Sequence, residues 1–129
     1  PGTYRSGTIN IIAGATVILD GQYRANPVFL FQADSTMLTG AGCKIILING
    51  ATADNVLWAL GTALTTGANS EFRGSIVAGS AITIAANNKV YGSVIAGSAV
   101  TFGANVEIEG CVAANSAITF GALCSVNAT

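Results

Sequence analysis

The sequence contains no histidine and very little charge. Without an imidazole, the commonest general acid–base group and the commonest neutral metal ligand are both missing. Only 9% of residues are charged, and the formal net charge is −1. There is no basic patch and no run of like charge, which excludes an ordinary nucleic-acid surface. No apolar stretch reaches the ~18 residues of a spanning helix, so no membrane insertion is expected. Glu, Lys, Arg and Gln are scarce, which disfavours a helical bundle. The three cysteines, Cys43, Cys111 and Cys124, leave at least one unpaired within the chain. Their spacing matches no zinc site, and nothing calls for a cofactor.

What remains is apolar and small. Hydrophobic residues make up 51% of the 129, and Gly, Ala, Ser, Thr, Val and Ile dominate. That mixture suits stacked strands joined by tight corners. The chain is too hydrophobic to be a disordered tail, and its length suits one domain, residues 1–129. It begins at Pro1 without a signal peptide, so a processed or longer precursor is expected.

From Leu64 onward the chain aligns with itself at a shift of 18 residues. Thr65, Thr83, Thr101 and Thr119 fall in one column. Ala68, Ala86, Ala104 and Ala122 form a second, and Phe72, Val90, Ile108 and Val126 a third. Gly74, Gly92 and Gly110 form a fourth, and Ser80, Ser98 and Ser116 a fifth. A fixed period of this kind marks a solenoid. Each repeat holds three short alternating stretches, such as Ile82–Ile84, Lys89–Tyr91 and Ser93–Ala96, separated by Ala-Asn-Asn and Gly-Ser corners. The expected fold is all-β: a parallel β-helix of triangular cross-section, ~18 residues per coil, with coils ~4.8 Å apart.

Alternation assigns the faces. Ile82, Ile84, Ala86, Val90, Val94 and Ala96 point inward, with Val100, Phe102 and Ile118 as further core positions. The threonine column points outward on one face. Glu71, Lys89 and Glu107, beside Arg73, Tyr91 and Glu109, point outward on the next. Ser75, Ser93, Val77, Ile95 and Ala113 do so on the third. Before Leu64, the same shift puts Trp58 on Ile76, Leu60 on Ala78, Ile46 on Leu64 and Ile48 on Thr66. Asp20-Gly21 and Asn49-Gly50 read as turns.

The threonine column has two readings. One is a ladder of β-formers with adjacent hydroxyls. The other is a flat array in which stiff side chains repeat at ~4.8 Å and hold water in a periodic arrangement. Ser80, Ser98 and Ser116 join it as candidates. Glu107 and Glu109, with Lys89 and Tyr91 one coil away, are the best catalytic cluster available. They read more simply as a solvated ladder of alternating sign, so no enzyme is expected. Asn127-Ala128-Thr129 is a candidate glycosylation sequon. Cys43 and Cys124 are candidates for an interchain disulfide.

The segments PVFLFQ, ILINGA, NVLWALG and SEFRGSIVA, in that order and after an opening PGTYR, resemble the ice-binding protein family of bacteria, fungi and algae. The resemblance covers essentially the whole chain. It implies a right-handed, discontinuous β-solenoid that is secreted and adsorbs to ice. It also implies a loose Thr-Ala/Gly-x-Thr/Asn motif on the ice face. Thr66-Gly67-Ala68-Asn69 fits that motif; residues 84–87 and 102–105 do not. Family members carry an N-terminal portion, with a capping coil and a helix, that this chain lacks. An uncapped stack leaves strand edges free, so the alternative expectation is a self-assembling subunit of an extracellular filament, stacked head to tail.

Overall fold

A computed structural model of the chain describes residues 2–122 and 124–127, the last by its backbone alone. Eighteen strands fold into three six-stranded parallel sheets, so each coil gives one strand to each sheet. The first sheet contains β1 (Gly2–Ser6), β4 (Phe29–Ala33), β7 (Val56–Leu60), β10 (Ser75–Ala78), β13 (Val94–Ala96) and β16 (Val112–Ala114). The second contains β2 (Ile9–Ile11), β5 (Met37–Thr39), β8 (Leu64–Thr66), β11 (Ile82–Ile84), β14 (Ala99–Phe102) and β17 (Ala117–Phe120). The third contains β3 (Thr16–Asp20), β6 (Lys44–Ile48), β9 (Glu71–Arg73), β12 (Lys89–Tyr91), β15 (Glu107–Glu109) and β18 (Ser125–Asn127).

The core runs along the axis of this prism. Val94, Val100 and Ile82 are fully buried, and Phe102 and Ile84 nearly so. Thr83 pairs with Thr101 on the outside. Two expectations fail in an instructive way. Ile118 is 39% exposed because β17 is the last strand of its sheet and lacks a neighbour on one side. Ala86 is only half-buried; the corner instead buries Asn88, two residues on.

The register before Leu64 also differs from a uniform 18-residue shift. Trp58 does pair with Ile76 and Leu60 with Ala78. Leu64, however, pairs with Met37, and Lys44 with Glu71, a step of 27 residues. Ile46 and Ile48 therefore belong to the third sheet rather than beneath Leu64 and Thr66. The early coils are nine residues longer because their corners into the first sheet are long: residues 49–55, with a 3₁₀ turn at Ala53–Asn55, replace the single Gly74 of the next coil. Asn49 and Gly50 open this corner with φ of 53° and 90°, as a turn of that kind requires.

These wider coils are filled by aromatics. Phe31 stacks on Trp58 with ring centroids 4.1 Å apart, Tyr4 stacks below Phe31 at 5.1 Å, and Phe72 meets Trp58 at 5.1 Å. Trp58 Nε1–H donates to Arg73 O at 3.0 Å, so the buried indole is paired. The later, shorter coils need only Val, Ile and Ala.

Glycine is obligatory where the short coil turns from the third sheet to the first. Gly92 has φ of 144°, and a Cβ there would sit 2.3 Å from Gly74 O. Gly92→Ala is expected to destabilise the fold by ~1–3 kcal/mol through strain and overlap, measured as the urea midpoint by circular dichroism. Val100→Asp places an unpaired charge in the core and is expected to cost several kcal/mol. In the long corners, Asn49 Nδ2–H and the Gln22 N–H both donate to Asp20 Oδ1 at 2.8 Å and hold the Asp20 carboxyl below its usual range. A depressed carboxylate contributes stability that is present above its unfolded pKa and lost as pH falls through the folded value. Asn49→Ala is therefore expected to raise the Asp20 pKa toward the ordinary value in a carboxyl NMR titration.

Candidate functional site

The outer face of the second sheet carries the most regular array on the molecule. Thr65, Thr83, Thr101 and Thr119 stand in register on β8, β11, β14 and β17, and all four are exposed. Their neighbours in the strand point inward, so each threonine is held from below by the core. Two branches on Cβ restrict χ1, and the in-register strands repeat hydroxyl and methyl at ~4.8 Å. The column continues downward as Leu38 and Asn10, which ends the threonine file at four rungs.

A second hydroxyl file runs along the corner that leads into this sheet. Ser80, Ser98 and Ser116 are exposed, three residues ahead of the corresponding threonine. Their backbone N–H groups donate to the carbonyl one coil below: Ser80 to Thr62 at 2.7 Å, Ser98 to Ser80 at 2.8 Å and Ser116 to Ser98 at 2.9 Å. Thr62 N–H donates to Ser35 O at 2.9 Å, so Thr62 and Ser35 extend the same file. Sequence reasoning missed these two because the longer coils shift them out of the 18-residue register.

A third file borders the other side of the sheet. Asn69, Asn87 and Asn105 are exposed and hold left-handed backbone with φ of 60°, 59° and 59°. Asn tolerates this conformation better than other side-chain-bearing residues. Asn105 Nδ2–H donates to Asn87 Oδ1 at 3.2 Å, so the amides themselves begin to form a ladder. The serine and threonine files lie ~10 Å apart, from three residues at ~3.3 Å each. No ionisable side chain stands in any of the three files.

Beneath the asparagine corner lies a buried polar seam. Asn88 is 1% exposed, and its Nδ2 donates to Ala85 O at 2.7 Å, Gly67 O at 3.0 Å and Ala86 O at 3.3 Å. Ser70 Oγ lies 3.2 Å from both Gly40 O and Gly67 O. Cys43 and Cys124 occupy equivalent inner positions, with Sγ 3.0 Å from Ile12 O and 3.1 Å from Gly103 O. Each of these side chains ties a corner to the coil below. Thr66, the first residue of the Thr-Gly-Ala-Asn motif, also faces inward. It is 4% exposed, and its Oγ1 accepts the Ala85 N–H at 3.2 Å. Of that motif only Asn69 reaches the outer surface.

The remaining candidates separate clearly. Cys43 is 3% exposed, so its thiol is not presented to a second chain, against the expectation of an interchain bond there. Cys111 is the exposed thiol, and all three cysteines are free. The sequon at Asn127 runs into residues 128 and 129, which lie outside the described residues. Glu107 and Glu109 both point to solvent on β15, with Lys89 Nζ 3.9 Å from Glu107 Oε2. This is the solvated ladder of alternating sign. Among the described residues no three Cys, Asp or Glu side chains are gathered to hold a metal ion, and no helix is long and apolar enough to cross a membrane.

Residues 1–106 match the model of the family described as ice-binding-like. The chain belongs to that family. It is similar to ice-binding protein 1 of Shewanella frigidimarina (strain NCIMB 400), at 33% identity over 78 residues, 60% of this chain and 9% of that protein. It is equally similar to an ice-binding protein of Nostoc sp. (strain HG1), at 33% identity over 60% of this chain and 28% of that protein. Ice-binding protein K3-B1 of Typhula ishikariensis is 31% identical over 60% of this chain and 31% of its own length. Among solved structures, an ice-binding protein from an Antarctic biological consortium superposes with a TM-score of 0.68 at 25% identity, over 98% of this chain and 49% of that one. An ice-binding protein from the Antarctic ascomycete Antarctomyces psychrotrophicus gives 0.64 at 26% identity, over 97% of this chain and 60% of that one. The chain thus spans less than a third of the three sequence relatives and about half of the structural ones.

The seam generates a prediction for this ice-binding-like chain. Asn88→Ala leaves buried carbonyls of Ala85 and Gly67 without their donor and is expected to cost ~1–3 kcal/mol, read from chemical denaturation.

Proposed function

We propose that this chain is a non-enzymatic, extracellular ice-binding module that adsorbs through the outer face of its second sheet. The observation that carries the reading is the in-register exposure of Thr65, Thr83, Thr101 and Thr119, flanked by the Ser80–Ser98–Ser116 and Asn69–Asn87–Asn105 files. Ice is a periodic solid of water, and a surface that binds it must order water over many repeats at once. A rigid file of hydroxyls at ~4.8 Å supplies hydrogen-bonding groups at a constant spacing. The threonine methyls between them favour ordered over bulk-like water. The names of the relatives support the same reading, and they do not favour an end-to-end filament.

Bulk on the central file is expected to break the match. Thr101→Tyr is expected to abolish thermal hysteresis while circular dichroism shows the solenoid intact. Ile95→Tyr, on the outer face of the first sheet, is expected to leave hysteresis unchanged. Equal hysteresis in wild type and a folded Thr101→Tyr variant would remove this face from consideration. Because the three files carry no ionisable group, hysteresis is also expected to stay level between about pH 4 and pH 9, outside which the ordinary carboxylate and lysine ranges are entered.

A further inference from the structure

The outward column of the third sheet reads, from β3 to β18, Thr16, Lys44, Glu71, Lys89, Glu107 and Ser125. Reversed, the column becomes its own complement. Hydroxyl meets hydroxyl at the two ends, and every lysine meets a glutamate. We propose that this sheet is a self-association surface, and that its occupant is a second copy of this chain lying antiparallel. A two-fold axis parallel to the strands, between β9 and β12, maps each rung onto the rung equally far from the other end. Lys44 then faces Glu107 of the second copy, and Glu71 faces Lys89, so the four charged rungs give four opposite-sign pairs.

The second outward column supports the same orientation at its centre. Arg73 faces Tyr91 of the second copy, as its guanidinium already does within the chain at 4.7 Å from the ring centroid. Further out, Ile46 meets Glu109, the one unmatched rung named by the register. A parallel arrangement, with the axis along the stack, would set Glu107 against Glu109 on both sides of the axis, so charge selects the antiparallel form. The charges are free to engage. Lys89 and Glu107 side chains are 51% and 58% exposed, and their mutual contact within the chain is a loose 3.9 Å.

The sheet sets the strength. Six strands at ~4.8 Å and three to five residues at ~3.3 Å give roughly 250–400 Å² per partner. That is below the ~800 Å² of a stable complex, so the dimer is a weak, salt-sensitive one that leaves the second sheet uncovered.

The test is zero-length carbodiimide coupling of the 129-residue chain at about 1 mM, a concentration at which an interface this small is populated. Lys44 and Glu107 of one chain are three rungs, ~14 Å, apart, too far for a direct amide. A Lys44–Glu107 cross-link is therefore intermolecular. The expected result is a dimer band containing that link. Raising salt from about 0.01 M to 1 M shortens the screening length from ~30 to ~3 Å and is expected to cut the band at least about fivefold. The fourfold exchange Lys44→Glu, Glu71→Lys, Lys89→Glu, Glu107→Lys keeps self-complementarity. That variant is expected to dimerise with itself and not with isotopically labelled wild type. No dimer band, a band without the Lys44–Glu107 link, or a band indifferent to salt would overturn the proposal, and the wild-type cross-link decides it should the variant fail to fold.

Discussion

Each strand here bonds to the strand one full coil away, and the register never slips along a sheet. Parallel hydrogen bonding therefore acts as a translation: whatever the sequence places at one position of a coil is copied ~4.8 Å higher by the next. A side-chain period of two makes that translation unforgiving, since a one-residue slip would turn every core residue outward. The three surface files of the second sheet, the charge ladder of the third and the glycine corner are all products of this one constraint.

The corners keep the register, and they do so by different means. Gly92 admits no Cβ because the coil below is already in contact. Asn69, Asn87 and Asn105 turn the chain through left-handed backbone, and Asn88 and Ser70 pin the carbonyls from inside. Where corners lengthen, as at residues 49–55, the strands still pair in register and the extra chain is expelled sideways. Coil length can thus vary by nine residues without disturbing the sheets, provided aromatics such as Trp58 and Phe31 fill the wider section.

Much of this was legible in the residues. Period, triangular section, the threonine and serine columns and the alternating charge ladder follow from an 18-residue shift and simple alternation. What stayed hidden shares one cause. The shift was read as uniform, so Ile46 was set beneath Leu64, and Thr62 and Ser35 were left out of the hydroxyl file. Local composition cannot show how much of a coil is corner, because Asn, Gly, Ala and Asp serve short and long turns alike. The buried seam was missed for a related reason. Asn88 looks like a surface turn residue, and only the approach of carbonyls from two coils makes burial of an amide favourable.

A surface that orders water must hold still, and stiffness is what the interior supplies. Each outward threonine is flanked by inward residues that are fully buried, such as Ile82 and Val100, so the strand cannot rotate without opening the core. Hydroxyls on a mobile loop would present no fixed period to a lattice. The same logic explains why the files are neutral. An ionised group binds its own hydration shell strongly, and charge is confined to the third sheet, across a corner from the threonines. One solenoid thus separates two chemistries by geometry: a neutral, periodic face suited to a solid made of water, and a charged, self-complementary face suited to another copy of itself.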